Sequence, residues 1–509
     1  MSDLGVPPGS TNAPTPGRGS SDVPAWVLLV AAALALSLAG LLFYVVLSQG
    51  GGNPQADQPD THASAPSYPA HWDRRIAPIA KIASRLRGLD FHHPVPVRFL
   101  PPAKFEKSLT ADQRKLSADD RAAIRHETGL LRAFGLISGD VNLVQAFNGF
   151  TGGATLAYYS FKTKSITVRG SKVTPSVRAT LVHELTHVLQ DQHFGVGARL
   201  HKLQHEDAGK GPSTSASSVL DAIVEGDAQR VEHLYAGSLS PQQQQALTAG
   251  RQAEAAQARK RLAQIPPVVV TLESSPYTLG EGLVQTVEAA GGNAAVDRLF
   301  RHPPTHETSL LDPFRFVDGD NGATKVGVPK LQRGEKQFGS GEFGVLTLYF
   351  MLAERMPLDD ALTVADGWGG DAYVGFERNG TTCARVAIAG ETPDDTTRIY
   401  AALQGWAAAA PGSPASVHRV GGQLLFESCD PGTAVQAGQD DSEAAMSLVG
   451  TRSGVGAVLL RSGAPKATAR CLAGRLVQTY TTAQLSDPTF GKDDPTVQAQ
   501  IQQLAADCR

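Results

Sequence analysis

The chain has 509 residues, with 46 basic and 49 acidic side chains and a net charge of −3. Its length allows about three domains, and no cationic excess is present to neutralise phosphates, which argues against a nucleic-acid partner. A hydrophobic share of 41% excludes wholesale disorder.

Residues 1–24 are rich in Pro, Gly, Ser and Thr and read as a disordered tail. From Trp26 to Leu47 no charged side chain occurs. A helix of that length reaches about 33 Å, enough to cross a hydrocarbon core of about 30 Å. Trp26 and Tyr44 suit the two interfaces, so residues 25–47 are predicted to be a single transmembrane helix. A cleaved signal peptide is the rival reading. The run is longer than an ordinary signal core, and no small-x-small cleavage site follows it promptly. Arg18 is the only basic side chain before the span, and none lies between Ser48 and His71. That bias places the N-terminus in the cytoplasm and the remainder outside the cell membrane. Residues 48–70, with Gly50, Gly51, Gly52 and several prolines, read as a stalk. All four cysteines, Cys383, Cys429, Cys471 and Cys508, lie near the C-terminal end without CxxC spacing. An even set in an extracytoplasmic region is compatible with two disulfides, in any of about three connectivities.

The folded part is expected from His71. Residues 76–89 have helical spacing, 95–100 suggest a short strand, and 110–137 read as helical. Residues 156–160 and 165–169 form a predicted hairpin around Lys162-Thr163-Lys164. A helix is expected next, with Thr174 as N-cap and Pro175 in its first position, running to about Gln192.

That helix carries His183-Glu184-Leu185-Thr186-His187, an HExxH motif. Two histidines four apart project about 40° from one another on a helix, so both imidazoles can reach one metal ion. Leu181, Leu185, Val188 and Leu189 fall on the opposite, apolar arc. Glu184 lies between the two faces, where a general base beside a metal and its water belongs.

Zinc needs a third protein ligand, and two candidates compete. His193 completes the HExxHxxxxxH spacing of metzincins, but Gln190 stands where those proteins need a turning Gly, and no Met-turn is apparent. Glu225 lies in a predicted second helix, residues 218–235, whose small Ala222 and Gly226 would let the two helices approach closely. On a helical wheel Glu225 shares the polar side with Asp221, Gln229 and Glu232, which is also how a plain surface carboxylate looks. The residues alone favour Glu225 only slightly.

The run from Arg178 to His193, with Val224-Glu225-Gly226-Asp227-Ala228, resembles the gluzincin metallopeptidases. More narrowly it is similar to a bacterial group of membrane-anchored predicted zinc peptidases with "HELTHxLQDQHF" and "EGDA" blocks. Tyr158-Tyr159 before the helix and Gly367-Trp368-Gly369-Gly370-Asp371 after it match further blocks of that group. The resemblance covers about residues 120–430. It implies His183, His187 and Glu225 as zinc ligands and Glu184 as the base. Gluzincins often carry an Asp four residues after the ligand Glu to orient a ligand His; here Gln229 stands there and Asp227 two residues on. The orienting group is therefore unassigned.

Tyr277 and His306 are candidates to stabilise an oxyanion, against the plainer reading of a packed Tyr and a loop His. Residues 343–355 and 358–365 read as helices. Beyond Asp371, short strands at 373–376, 383–388, 424–426 and 455–460 alternate with helical runs at 394–408, 467–480 and 495–507.

The expected architecture is α+β. A zincin-like metallopeptidase domain occupies 71–366, and a C-terminal α+β region at 367–509 carries every cysteine. Two functions follow as expectations: a membrane-anchored zinc peptidase acting on a peptide, protein or cell-envelope substrate, or a non-catalytic envelope binding protein built on a peptidase-like domain. A strand at 156–160 or 165–169 could hold an extended substrate by its edge.

Overall fold

The computed structural model describes residues 68–109, 116–146, 155–209, 215–263, 265–320, 322–410, 412, 415–436, 440–487 and 489–509. The tail, the transmembrane span and nearly all of the stalk expected at 1–70 lie outside the described residues. Among the described residues, no helix is long and apolar enough to cross a membrane.

Two sheets and a stack of helices make up a mixed α+β structure. The first sheet is built from β1 (Val97–Leu100), β2 (Ala157–Ser160) and β3 (Ser165–Arg169) in the order β1-β3-β2. β2 and β3 form the predicted antiparallel hairpin, and β1 pairs parallel to β3. Against this sheet pack α1 (Ala77–Arg87) and α2 (Pro175–Phe194), which carries the HExxH motif. Ile79 and Ala83 of α1, Ile166 and Val168 of β3, and Leu181, Leu185 and Val188 of α2 share one buried cluster. The apolar arc of α2 read from the sequence is thus the arc that faces the sheet.

The local chemistry of α2 matches its boundaries. Thr174 Oγ1 accepts from Val177 N at 3.3 Å, Pro175 opens the first turn, and Gly195 closes the helix at φ 62°. Such a left-handed φ favours glycine.

On the other side of α2 lies α3 (Ala216–Gly237), which carries Glu225. After α4 (Pro241–Leu262), α3 packs on α5 (Pro267–Arg301), a long helix with Pro276 inside it and non-helical φ/ψ at Gly291 and Gly292. Here one expectation is corrected. Ala222 and Gly226 do allow a close approach, but to α5: a Cβ on Gly226 would meet Gly280 C at 2.0 Å.

The second sheet has the order β4-β5-β6-β8-β7, from Lys336–Gly341, Trp368–Arg378, Thr381–Gly390, Gln423–Cys429 and Ser416–Val420. All its neighbouring pairs are antiparallel. β4, from before the 366/367 division drawn on the sequence, pairs with β5 after it. Between these strands α6 (Val345–Ala353) is buried at every position but Thr347, and α7 (Pro393–Ala408) packs on β6 and β7.

α8 (Ser442–Arg461) then lies along α5, followed by α9 (Lys466–Thr479) and α10 (Pro495–Asp507). Residues 455–460, expected as a strand, lie inside α8. Their β-branched and leucine content fits either state, and tertiary packing on α5 decides for helix. Cys383 and Cys429, paired across β6 and β8, are at disulfide distance, as are Cys471 and Cys508, which tie α9 to the end of α10.

Candidate metal centre

The polar side of α2 faces the polar side of α3. His183 Nε2 lies 3.1 Å from Glu225 Oε2, and His187 Nε2 lies 3.5 Å from the same oxygen. One ligand atom from each of the three side chains falls within 4.8 Å of the others. A tetrahedral ion with bonds of about 2.0–2.2 Å holds its ligand atoms roughly 3.3–3.6 Å apart. The group therefore fits a metal ion.

Glu225 is 3% exposed, so the sequence look-alike of a surface carboxylate is excluded. Asp221, Gln229 and Glu232, its companions on the wheel, are buried as well. Their polar face is an interior face.

The outward nitrogens of both imidazoles meet oxygen acceptors. His187 Nδ1 lies 2.9 Å from Gln190 Oε1, and Gln190 Nε2 donates to Val224 O (2.9 Å) and to Asp227 Oδ2 (3.2 Å). Asp227 is anchored in turn by Arg87 Nε at 2.6 Å and Arg230 Nη2 at 2.9 Å. Gln190, which departs from the metzincin pattern, is thus the group that orients His187. His183 Nδ1 faces Glu232 Oε2 at 3.5 Å, and Glu232 Oε1 pairs with Arg251 of α4. Glu232, seven residues or two turns beyond Glu225, fills the role for which no Asp stands at position 229. Such outer partners fix the tautomer that leaves Nε2 for a metal. Sequence reasoning missed Gln190, Glu232 and Arg251; the i+7 spacing of Glu232 from Glu225 was the available signal.

Glu184 is not one of the three grouped side chains but lies within electrostatic reach of His187, His183 and Glu225. Its Oε2 accepts from Tyr159 N of β2 at 2.7 Å. A second clamp joins the hairpin to α2, where Asp191 Oδ2 accepts from Tyr159 Oη (2.8 Å) and Lys164 Nζ (2.5 Å). β3 is paired on both sides, so of the two strands considered for edge addition only β2 has an outer edge, and Glu184 already occupies part of it.

Burial and charge set the protonation of the site. Burial pushes the Glu184 carboxyl up to about 7, only partly offset by His187 and His183. For His183, burial acts downward but Glu225 and Glu232 carry it up to about 10. Glu225 is depressed despite burial by His187 and His183. Glu232 is likewise held down to about 2, through His183 and Arg251.

No family model, curated protein or solved structure matches this chain.

The remaining candidates divide. His193 Nε2 lies 2.7 Å from Asp90 O and its ring lies against His92, so it is turned away from His183 and His187. Tyr277 is brought to the centre: its ring stacks on His183 with centroids 6.2 Å apart. His306 instead pairs with Glu342 at 3.1 Å. Near it Asp371 accepts from Phe343 N, Gly344 N and Trp368 Nε1 at 2.7, 3.1 and 2.8 Å, which ties down the start of α6.

Proposed function

We propose that the chain is a membrane-anchored, extracytoplasmic zinc metallopeptidase of gluzincin type. The observation that carries this reading is the convergence of His183, His187 and Glu225 beside Glu184. Two imidazoles and one carboxylate are a donor set typical of catalytic zinc, which keeps one position open for water or substrate. When bound, zinc supplies Lewis acidity, polarising a carbonyl and making water more acidic.

The chain's own residues supply the rest. Glu184 takes a proton from the attacking water and returns it to the leaving amine; a carboxyl near pH 7 in affinity can do both. Tyr159 N holds its Oε2 so that the other oxygen addresses the substrate. Tyr277, against His183, is placed to support the developing oxyanion. The anchor and the outside location rest on the apolar span 25–47 and on the paired cysteines.

The test compares zinc-loaded full-length protein with Glu184→Gln on a diverse peptide library. Wild-type cleavage that falls by orders of magnitude in the variant, at equal zinc content, is the expected result. Cleavage undiminished in Glu184→Gln would refute the assignment of the base. One observation favours a second reading, a closed structural metal site in a non-catalytic envelope protein: His183, His187, Glu225 and Glu184 are each at most 5% exposed. Zinc binding with no hydrolysis in either form would support that reading.

A further inference from the structure

One turn beyond Glu225, α3 borders a half-open cavity of about 290 Å³ shared with α5 and α8. Ligand pockets run to about 300–1,000 Å³, so this space suits a single long side chain. Its position relative to the centre is defined twice. Gln229, four residues after Glu225 and about 6 Å along the helix, lines it, and so does Tyr277, whose ring stacks on His183. About 6 Å is the length of two residues of extended peptide.

Missing side chains keep the space open. Ser447, Gly450, Thr451 and Gly454 of α8 line it at helical spacing, and a Cβ on Gly454 would meet no atom within 4 Å. Opposite them stand Thr278 and Glu281, three apart on one face of α5.

The lining mixes apolar surface, which suits an aliphatic stem, with a few acceptors. Among the described residues it contains the Glu281 carboxylate and no Lys or Arg. His233 Nδ1 and Gln285 Nε2 both donate to Glu281 Oε1, each at 2.7 Å. Gln229 Nε2 lies 2.9 Å from the other ring nitrogen, His233 Nε2; burial acts downward on this imidazole, but Glu281 carries its pKa above the usual histidine value. Gln229 Oε1 and Thr278 Oγ1 are buried and, among the described residues, have no hydrogen-bond partner. Three acceptors therefore border a space in which, among the described residues, His233 is the one side chain able to carry positive charge and already pairs with Glu281; the two unpaired buried oxygens call for further donors.

We infer that this cavity is the specificity pocket of the centre and takes a basic side chain, lysine or arginine, flanking the scissile bond of a peptide substrate. The inference rests on the peptidase reading above, so its test separates the two. In the first arm, zinc-loaded full-length protein in detergent is given an equimolar peptide library, and cut sites are read by mass spectrometry. Lysine or arginine should recur at one position beside the cut. Glu281→Gln should lower kcat/KM on a lysine peptide about 10–100-fold, the loss expected for a charged hydrogen-bond partner. Gly454→Leu, which fills the space from a helical position, should do the same. Zinc content should be unchanged in both variants. Cleavage without a basic preference, with a preference for neutral glutamine, or with a basic preference that both variants retain, overturns the pocket and leaves the peptidase standing.

In the second arm, zinc-loaded wild type and Gly454→Leu are titrated with Nα-acetyl-lysine methylamide and its norleucine counterpart by calorimetry. Tighter binding of the lysine compound to wild type alone supports the pocket even if no peptide is cut. Equal binding of the two compounds overturns it.

Discussion

His183 Nδ1 lies 3.5 Å from Glu232 Oε2, and among the described residues neither atom has a hydrogen-bond partner elsewhere. On its other side the same ring turns Nε2 to Glu225 at 3.1 Å. An imidazole that gives Nε2 to a cation is neutral and carries its proton on Nδ1, where a carboxylate orients it and raises its basicity. Glu232 is 2% exposed and is held by Arg251. Glu232→Gln should weaken zinc binding about tenfold, and Glu232→Ala about 100-fold, the range found for lost outer partners. Competition with a chromogenic chelator measures this, with far-ultraviolet circular dichroism to check the fold. Wild-type affinity in both variants would take His183's orientation away from Glu232.

How much of this was legible beforehand depends on how local each signal is. The α2 boundaries follow from Thr174, Pro175 and a 3.6-residue pattern, all within one segment, and they appear as expected. His183 and Glu225 are 42 positions apart, and nothing in a helical wheel distinguishes a polar face turned to water from one turned to another polar face. Gln190 was read only as a missing glycine, because its acceptors, Val224 O and Asp227, belong to another helix. α5 was hidden by Pro276 and the Gly291-Gly292 pair, which punctuate the sequence as if they ended an element. Strand propensity at 455–460 misled for the complementary reason: packing on α5 outweighs it.

The ligand set itself is tested by two substitutions. His193 is engaged with Asp90 O at 2.7 Å, away from the centre, whereas Glu225 Oε2 lies within 3.5 Å of both histidines. One zinc per chain is expected by elemental analysis. Glu225→Ala should abolish stoichiometric zinc, and His193→Ala should retain it. The reverse pattern would assign the third ligand to His193 and make this geometry the wrong one.

Glu184 should leave a mark on the stability of the metal-free protein. Its folded value is raised from 4.5 to about 7, chiefly by burial. Below pH 4.5 both folded and unfolded states are protonated, and no cost arises. Between 4.5 and about 7 the unfolded state ionises first, so folding weakens as pH rises; above about 7 the cost is full. The gap corresponds to at most about 3 kcal/mol. Metal-free Glu184→Gln should therefore be more stable than wild type at pH 8, with the advantage vanishing towards pH 4.5. Urea unfolding at both pH values measures it. An advantage of the same size at both would mean that the effect is not ionisation.

The contact between α3 and α5 ties the fold to the centre. A Cβ on Gly226 would meet Gly280 C at 2.0 Å, and one on Gly280 would meet Ala222 O at 1.8 Å. Both obstacles are backbone, so no side chain can swing aside, and the helices must part. Overpacking in a well-filled interior costs about 1–3 kcal/mol and sometimes more; a backbone obstacle belongs at the upper end. Since the shift per kcal/mol shrinks with size, to roughly 1 °C for more than 400 folded residues, Gly226→Ala should lower Tm by about 3 °C. Glu225 is the adjacent residue and Gln229 the next turn, so the displacement passes directly to the ligand carboxylate, and zinc affinity should fall with stability. Gly237→Ala supplies the control. It lies at the end of the same helix, where an added Cβ meets no atom within 4 Å, and alanine favours helix over glycine by up to about 1 kcal/mol. That variant should match or slightly exceed wild type in Tm and bind zinc unchanged. Calorimetry and chelator competition on the three proteins give both quantities. If Gly226→Ala loses stability but keeps full zinc affinity, the position of Glu225 is set by α2 alone and the α3–α5 contact serves only the fold.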